Sequence, residues 1–265
     1  MSSNGKELSI STNLCFVNAE NLSRPFWRNF TMKKILTIAA ALLVSAAGVF
    51  AGDAASFDDI GFSADGKYYI FGTYGKTDMK YEPWAEIYTV DVAANNFVKG
   101  EVYKSKKGDV ASDASGKDAY DKLRSAAEWK LAKYNAKPSA IEKLLYIRDL
   151  ESKAPTDEIV FKDFENSTEG NSIYYNIKLV PTVEGKGKNV ASKFYINVVR
   201  KDENGNILSS LKVGTPDFKR KGISGYTIDK IFTDASGKSL VFVVQKKLVD
   251  NTGTSIRYMV ETCRF

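Results

Sequence analysis

Asp59-Ile-Gly-Phe-Ser-Ala-Asp-Gly-Lys-Tyr-Tyr-Ile-Phe71, followed after a loop by Ala85-Glu-Ile-Tyr-Thr-Val-Asp-Val92, decides the fold class. Short apolar runs flank Ser63-Ala-Asp-Gly66, and an Asp-Gly pair so placed predicts a β-hairpin whose turn needs a residue tolerant of positive φ. In the second strand, Lys67–Gly72, Tyr69 and Phe71 point one way while Tyr68 and Ile70 point the other. Apolar residues on both faces predict a central strand covered on both sides. Glu86–Val92 reads as the returning strand, Asn95-Asn96 as a turn and Phe97–Tyr103 as a further strand. Thr73–Trp84, rich in Gly, Tyr, Lys and Pro, reads as a long connecting loop.

Beyond these strands the period changes. Tyr120, Leu123, Ala127, Leu131 and Tyr134 recur at helical spacing. Ser112, Asp113 and Ser115 offer N-caps, and Asn135 closes the helix. Pro138 suits the first turn of a second helix carrying Ile141, Leu144, Leu145 and Arg148. An αα-hairpin is therefore expected within residues 115–151. Strand patterns return from Glu158 and persist to Thr262, with Asn204-Gly205 as the strongest hairpin signal. The expected fold class is α+β: mostly antiparallel β-sheet, as a sandwich or partial propeller-like arrangement, with this helical hairpin inserted.

Ile231-Phe-Thr-Asp-Ala-Ser-Gly-Lys-Ser-Leu-Val-Phe242 repeats the opening stretch at a fixed offset of 171. Ala64, Gly66, Lys67 and Phe71 fall on Ala235, Gly237, Lys238 and Phe242. A propeller or solenoid needs several such units, and no third copy is found. Two hairpins obeying the same turn rules account for the likeness as well as duplication does.

Met32-Lys-Lys34 precedes seventeen residues without a charge, Ile35 to Ala51, which end Gly-Val-Phe-Ala. A basic n-region, an apolar h-region and small residues at the −3 and −1 positions predict a signal peptide at residues 32–51, cleaved near Ala51. Residues 1–31 then read as an upstream extension outside the native protein, and residues 52–265 as a single β-rich secreted domain. The expected localisation is secreted or periplasmic, with no stable membrane span after cleavage.

The whole chain carries 38 basic and 32 acidic side chains, a balance of +6. Residues 52–265 keep 33 against 30, a balance of +3, so much of the basicity belongs to the leader. That balance predicts no nucleic-acid footprint. The densest basic cluster, Lys104, Lys106 and Lys107, reads as a solvated strand end. Histidine is absent, which excludes Ser-His-Asp and Cys-His chemistry and the usual zinc sites. Cys263 is the only cysteine after residue 51, so no intramolecular disulfide forms in the exported chain, and it reads as a small apolar strand residue.

Phe62-Ser-Ala-Asp-Gly-Lys-Tyr-Tyr-Ile-Phe71 with Glu86-Ile-Tyr-Thr-Val-Asp91 resembles the blade hairpin of periplasmic TolB-like and WD40-like propellers. More closely, Phe-Ser-Ala-Asp-Gly-Lys, Phe71-Gly-Thr-Tyr-Gly75 and Glu86-Ile-Tyr-Thr-Val-Asp-Val92 resemble an uncharacterised family of predicted secreted bacterial proteins, the domain of unknown function 2259. The resemblance is strongest over Asp59–Gly100. It implies export and a β-rich fold, and it carries no assigned activity. Where that family's pattern has a Gly-rich acidic loop, this chain has Thr77-Asp-Met-Lys-Tyr-Glu-Pro-Trp84, which keeps Asp78 and Pro83-Trp84 without the glycines.

Candidate chemistry is sparse. Asp65 occupies a turn position where Asp serves backbone geometry, and Ser236 stands at the equivalent place in the second copy. Asp163-Phe-Glu-Asn-Ser-Thr-Glu-Gly170 offers oxygens but lacks a calcium-loop spacing. Tyr74, Asp78, Tyr81 and Trp84 are the candidate binding residues, because aromatics on a long loop form a platform for sugar, peptide or protein. No catalytic residue, metal site or cofactor is expected. The leading expectation is a non-enzymatic envelope or secreted binding module whose partner is an envelope protein or glycan. The alternative is a carboxylate-dependent hydrolase acting on an envelope or extracellular substrate.

Overall fold

The computed structural model describes residues 53–77, 79–151, 158–164, 166–249 and 253–265. The readings for residues 1–31 and 32–51 lie outside the described residues, as does Asp78. Sheet I holds β1 (Ser56–Phe62), β2 (Tyr68–Lys76), β3 (Pro83–Asp91) and β4 (Asn96–Lys104) in chain order. Helix α1 (Gly116–Leu131) follows, and then β5 (Leu144–Ile147). Sheet II holds β6 (Glu158–Lys162), β7 (Ile173–Glu184) and β8 (Ala191–Asp202), with β9 (Ile207–Val213) and β10 (Arg220–Lys221) both pairing β8. Sheet III consists of β11 (Ile223–Thr233), β12 (Ser239–Val249) and β13 (Thr254–Arg264), ordered β13-β12-β11-β5. All strand pairings between these elements are antiparallel.

Three cores stack these elements in succession. Ile60, Ile70 and Ile87 of sheet I pack on Ala119, Tyr120 and Ala127 of α1. The opposite face of sheet I, through Tyr69, Phe71 and Val90, meets Phe232, Val241 and Val243 of sheet III. Sheet III then turns Ile231, Leu240, Phe242 and Val244 toward Ile177, Phe194 and Val198 of sheet II. Strand β2 is covered on both faces as its sequence requires, and β12 is covered likewise. The sheets make a sandwich-like stack, and none of them closes into a barrel among the described residues.

The helical hairpin is corrected to a single helix. Ser115 caps α1 by accepting from the Asp118 N–H, while the Asp118 carboxylate accepts from the Ser115 N–H at 2.8 Å, a capping box. A short 3-10 turn and Asn135 at φ 45° end it. The second expected helix is instead a 3-10 turn at Ile141–Lys143 and strand β5, which completes sheet III by pairing Ile147 with Lys230 and Tyr146 with Ile231. The long loop is also shorter than expected. Strand β2 runs on to Lys76 and β3 begins at Pro83, with Gly75 opposite Trp84, so only residues 77–82 connect them.

Glycines explain how α1 seats on β2. A Cβ at Gly72 would stand 2.3 Å from the Tyr120 ring, and one at Gly116 would stand 2.5 Å from the Gly75 carbonyl oxygen. Tyr74 stacks on Tyr120 with ring centroids 4.9 Å apart. The Phe71-Gly-Thr-Tyr-Gly75 motif is thus a helix seat. Replacing Gly116 by valine should cost about 1–3 kcal/mol, the usual penalty of overpacking, read from urea unfolding. An unchanged midpoint would show that the close approach is not needed.

The repeated hairpins sit in different sheets, and their turns meet. A Cβ at Gly66 would lie 2.9 Å from Asp234 Oδ2. Each turn is closed by one serine and one aspartate in exchanged positions. In the first, Ser63 Oγ donates to Asp65 Oδ1 at 2.7 Å and accepts from the Tyr68 N–H at 3.0 Å. In the second, Ser236 Oγ donates to Asp234 Oδ2 at 2.6 Å, and Asp234 Oδ1 accepts from the Ser239 N–H at 2.9 Å. At offset 171, Ser63 corresponds to Asp234 and Asp65 to Ser236. The double exchange Ser63→Asp with Asp65→Ser should therefore lie nearer the wild-type melting temperature than either single change, a non-additive pair. Additive effects would overturn the equivalence of the two turns.

Candidate binding surface around Trp84

The connection between β2 and β3 is held by its own backbone. The Thr77 N–H donates to the Glu82 carbonyl at 2.8 Å, and the Tyr81 N–H donates to the Thr77 carbonyl at 3.0 Å. Thr77 Oγ1 accepts from the Glu82 N–H at 3.0 Å. Met79 and Tyr81 both adopt positive φ, 61° and 52°, which costs free energy in a non-glycine residue and clusters at functional segments. Both side chains project into solvent, Tyr81 at 68 % exposure.

Trp84 is half-buried and fixed on two sides. Its indole N–H donates to Asp53 Oδ2 at 3.4 Å, and the Arg257 guanidinium lies 4.6 Å from its ring centroid. Arg257 closes the triangle with an ion pair to Asp53 at 2.9 Å. The cation over the ring face adds an electrostatic attraction. Gly75, directly opposite on β2, leaves room for the indole, since a Cβ there would approach it to 3.3 Å.

Two concavities flank this indole. One, of about 380 Å³, is lined by Thr77, Glu82, Trp84 and the 105–112 segment with Lys106 and Lys107. The other, of about 280 Å³, is lined by Trp84, Glu86, Lys104, Ser105 and Arg257. Lys107 pairs with Glu82 at 2.7 Å and Lys104 with Glu86 at 2.6 Å. The hydrogen bond from Lys107 holds the Glu82 carboxyl below the usual glutamate range. The basic cluster of the sequence is therefore the rim of these concavities, and Lys106 is its exposed member without an ion pair among the described residues.

The candidate residues do not converge on one face. Tyr74, opposite Ala85, faces α1 and is occupied by Tyr120, whereas Trp84 faces the other side of sheet I, toward Arg257. Tyr81 stands at the tip. Asp53 and Arg257 were not legible as site residues, because they meet only through a bridge between Ala54 and Ile256. That contact spans some two hundred positions.

The cleft of about 520 Å³ between the two hairpin turns holds Asp65, Glu142 and Asp234. Its turn carboxylates are committed to backbone and serine donors. The Ser63 hydroxyl, and then the Lys67 N–H, hold Asp65 below the usual aspartate range, the opposite of what a general acid needs. Asp163, from the oxygen-rich loop, is buried and accepts from the Asn166 N–H and side-chain amide at 3.1 and 2.8 Å. No group of three or more metal-ligating side chains occurs among the described residues.

A family model described as predicted secreted protein (DUF2259) matches residues 70–264. No curated protein and no solved structure matches the chain. No helix among the described residues is long and apolar enough to cross a membrane.

Removing the Asp53 carboxylate should free the indole. In a Trp27→Phe, Trp129→Phe background, which leaves Trp84 as the sole tryptophan, Asp53→Ala should raise acrylamide quenching of its fluorescence. Equal quenching would show that Asp53 does not orient the ring.

Proposed function

The chain belongs to the DUF2259 family of predicted secreted proteins, and from that premise we propose that it is a non-enzymatic envelope binding module. On this reading it is exported by cleavage near Ala51, acts as a secreted or periplasmic protein, and takes an envelope protein or glycan as partner. Contact is made through the 77–82 tip and the Trp84 indole. The observation that carries the reading is the position of Trp84: one ring forms the shared wall of two adjoining concavities, with its orientation set by Asp53 and Arg257. Aromatic residues held rigid beside polar groups give large contact area at low entropic cost. Tyr81 and Met79 extend that surface into solvent, and Asp78 belongs to it by sequence alone. The hydrolase alternative has less support, because Asp65 and Asp234 of the turn cleft are spent on turn closure.

The test is retention of the exported protein on purified envelope glycan and, separately, on immobilised envelope proteins. Tyr81→Ala and Trp84→Ala should each weaken retention at least about fivefold, the scale of an aromatic anchor worth more than 1 kcal/mol. Tyr81 is exposed, so its replacement should leave the melting temperature unchanged. Undiminished retention by both variants would end the binding-surface reading.

A further inference from the structure

Strand β13 pairs with β12 without a register shift, from Thr254 opposite Val249 to Arg264 opposite Ser239. In an unbulged antiparallel strand the N–H and C=O of one residue point to one side and those of the next residue to the other. Two contacts fix which residues of β13 point away from β12. The Ile256 N–H donates to the Asp53 carbonyl at 2.8 Å, and the Ile256 carbonyl accepts from the Ala55 N–H at 3.0 Å. Further along, the Thr262 N–H donates to Asn95 Oδ1 at 2.7 Å. By alternation Tyr258 and Val260, which lie between these two, also turn their N–H and C=O outward. Neither makes a main-chain hydrogen bond outside the β12 ladder among the described residues. The edge is capped at Ile256 and at Thr262, and open between them.

Concavities adjoin this open interval at both ends. Arg257 lines the one of about 280 Å³ beside Trp84. Met259, Val260 and Glu261 line another of about 230 Å³ together with Phe97 and Phe218. Phe97 and Phe218 are large apolar side chains, 46 % and 57 % exposed. The Val260 side chain belongs to the core between sheets I and III, and the residue nonetheless lines this concavity. The charges around the interval are already matched. Arg220 pairs with Glu261 at 3.6 Å, Arg257 with Asp53 at 2.9 Å and Lys104 with Glu86 at 2.6 Å. What fits is an uncharged occupant that brings donors and acceptors at a two-residue repeat, about 6.6–6.8 Å, with an apolar group at the phenylalanine end. An extended peptide has that form.

We propose that Tyr258–Val260 of β13 is a strand-addition site for a short, extended, uncharged segment of a partner protein, which pairs its main chain with the outward N–H and C=O of Tyr258 and Val260 and lays an apolar side chain against Phe97 and Phe218. Residues 53–55 show that this edge accepts a strand, since Ala54 bridges to Ile256 before the chain leaves for sheet I at Ser56. The same residues exclude a second copy paired symmetrically through its own β13. Centred on Met259, that pairing would set Thr262 of one copy beside Ile256 of the other, where residues 53–55 already lie. The site does not depend on capture at the 77–82 tip.

Random heptapeptides displayed on phage are selected on the exported protein, and the strongest binder is synthesised as the probe. Amide hydrogen exchange read by NMR reports the edge directly. Without peptide, Tyr258 and Val260 should exchange at least about tenfold faster than Arg257 and Met259, whose N–H groups point into the β12 ladder. At a peptide concentration ten times its Kd, exchange at both should slow about tenfold, the factor 1 + [L]/Kd. N-methylation of the two alternate peptide residues that face β13 should abolish binding, and N-methylation of the residue between them should not. Phe97→Ala should weaken the peptide at least about fivefold, whereas Tyr81→Ala should bind it as the wild type does, which separates this site from the tip. The proposal is overturned if Tyr258 and Val260 are as protected in the free protein as their neighbours, if selection yields no binder, or if the bound peptide tolerates N-methylation at every position. Retention of envelope glycan with no peptide binding would overturn it too, and assign the surface to a sugar.

Discussion

Leu240-Val-Phe-Val-Val244 of β12 is the constraint from which the layering follows. All five residues are fully buried, and alternate side chains of a strand point to opposite faces. Leu240, Phe242 and Val244 therefore demand one cover while Val241 and Val243 demand another. Sheet II supplies the first and sheet I the second. Burying five such side chains removes water from both faces of the central sheet, at roughly 1.5–3 kcal/mol for each large one before entropy is counted. Sheet I is then covered on its remaining face by α1, because Tyr68, Ile70 and Ile87 need a partner as well. The order helix, sheet I, sheet III, sheet II is the outcome of two doubly apolar strands, β2 and β12.

Much of this was legible in the amino-acid sequence, and the exceptions have physical causes. The strands from Ile60 to Thr262 announce themselves by alternation and by turn chemistry. Leu144–Ile147 does not, because four apolar residues satisfy a helical turn as readily as a short strand. Its state is decided by tertiary pairing with β11, a context that overrides local preference. Thr73–Lys76 looked like loop because glycine and lysine disfavour strands, yet Gly75 is there to leave room for the Trp84 indole, and its backbone is what Gly116 of α1 approaches. Local propensity was subordinated to close approach. The glycine that suggested flexibility stands where a side chain would crowd the indole.

The candidate surface was half legible. A long hairpin tip bearing aromatics was visible at once, and so was a basic cluster at Lys104–Lys107. Nothing in the spacing indicated that α1 occupies Tyr74, or that Arg257 and Asp53 hold Trp84. Those assignments depend on the stacking of sheets, which no local pattern encodes. The rim lysines likewise gain meaning only when Glu82 and Glu86 are seen to absorb two of them. What distinguishes this surface from an ordinary solvated strand end is that an aromatic ring is immobilised there without being covered.

The docking of residues 53–55 on β13 has one more implication. Sheet III has two edges, and they are managed differently. Strand β5 is four residues long, too short to template much. Strand β13 has eleven, and an exposed edge of that length invites pairing with a second chain. Ala54 bridges to Ile256, the Ala55 N–H donates to the Ile256 carbonyl at 3.0 Å, and the Ile256 N–H donates to the Asp53 carbonyl at 2.8 Å. Asp53 is in turn pinned by Arg257 and Trp84. Residues 53–55 thus act as a guard strand over the longer edge of sheet III, and the side chains that steady the indole are the ones that keep the guard in place.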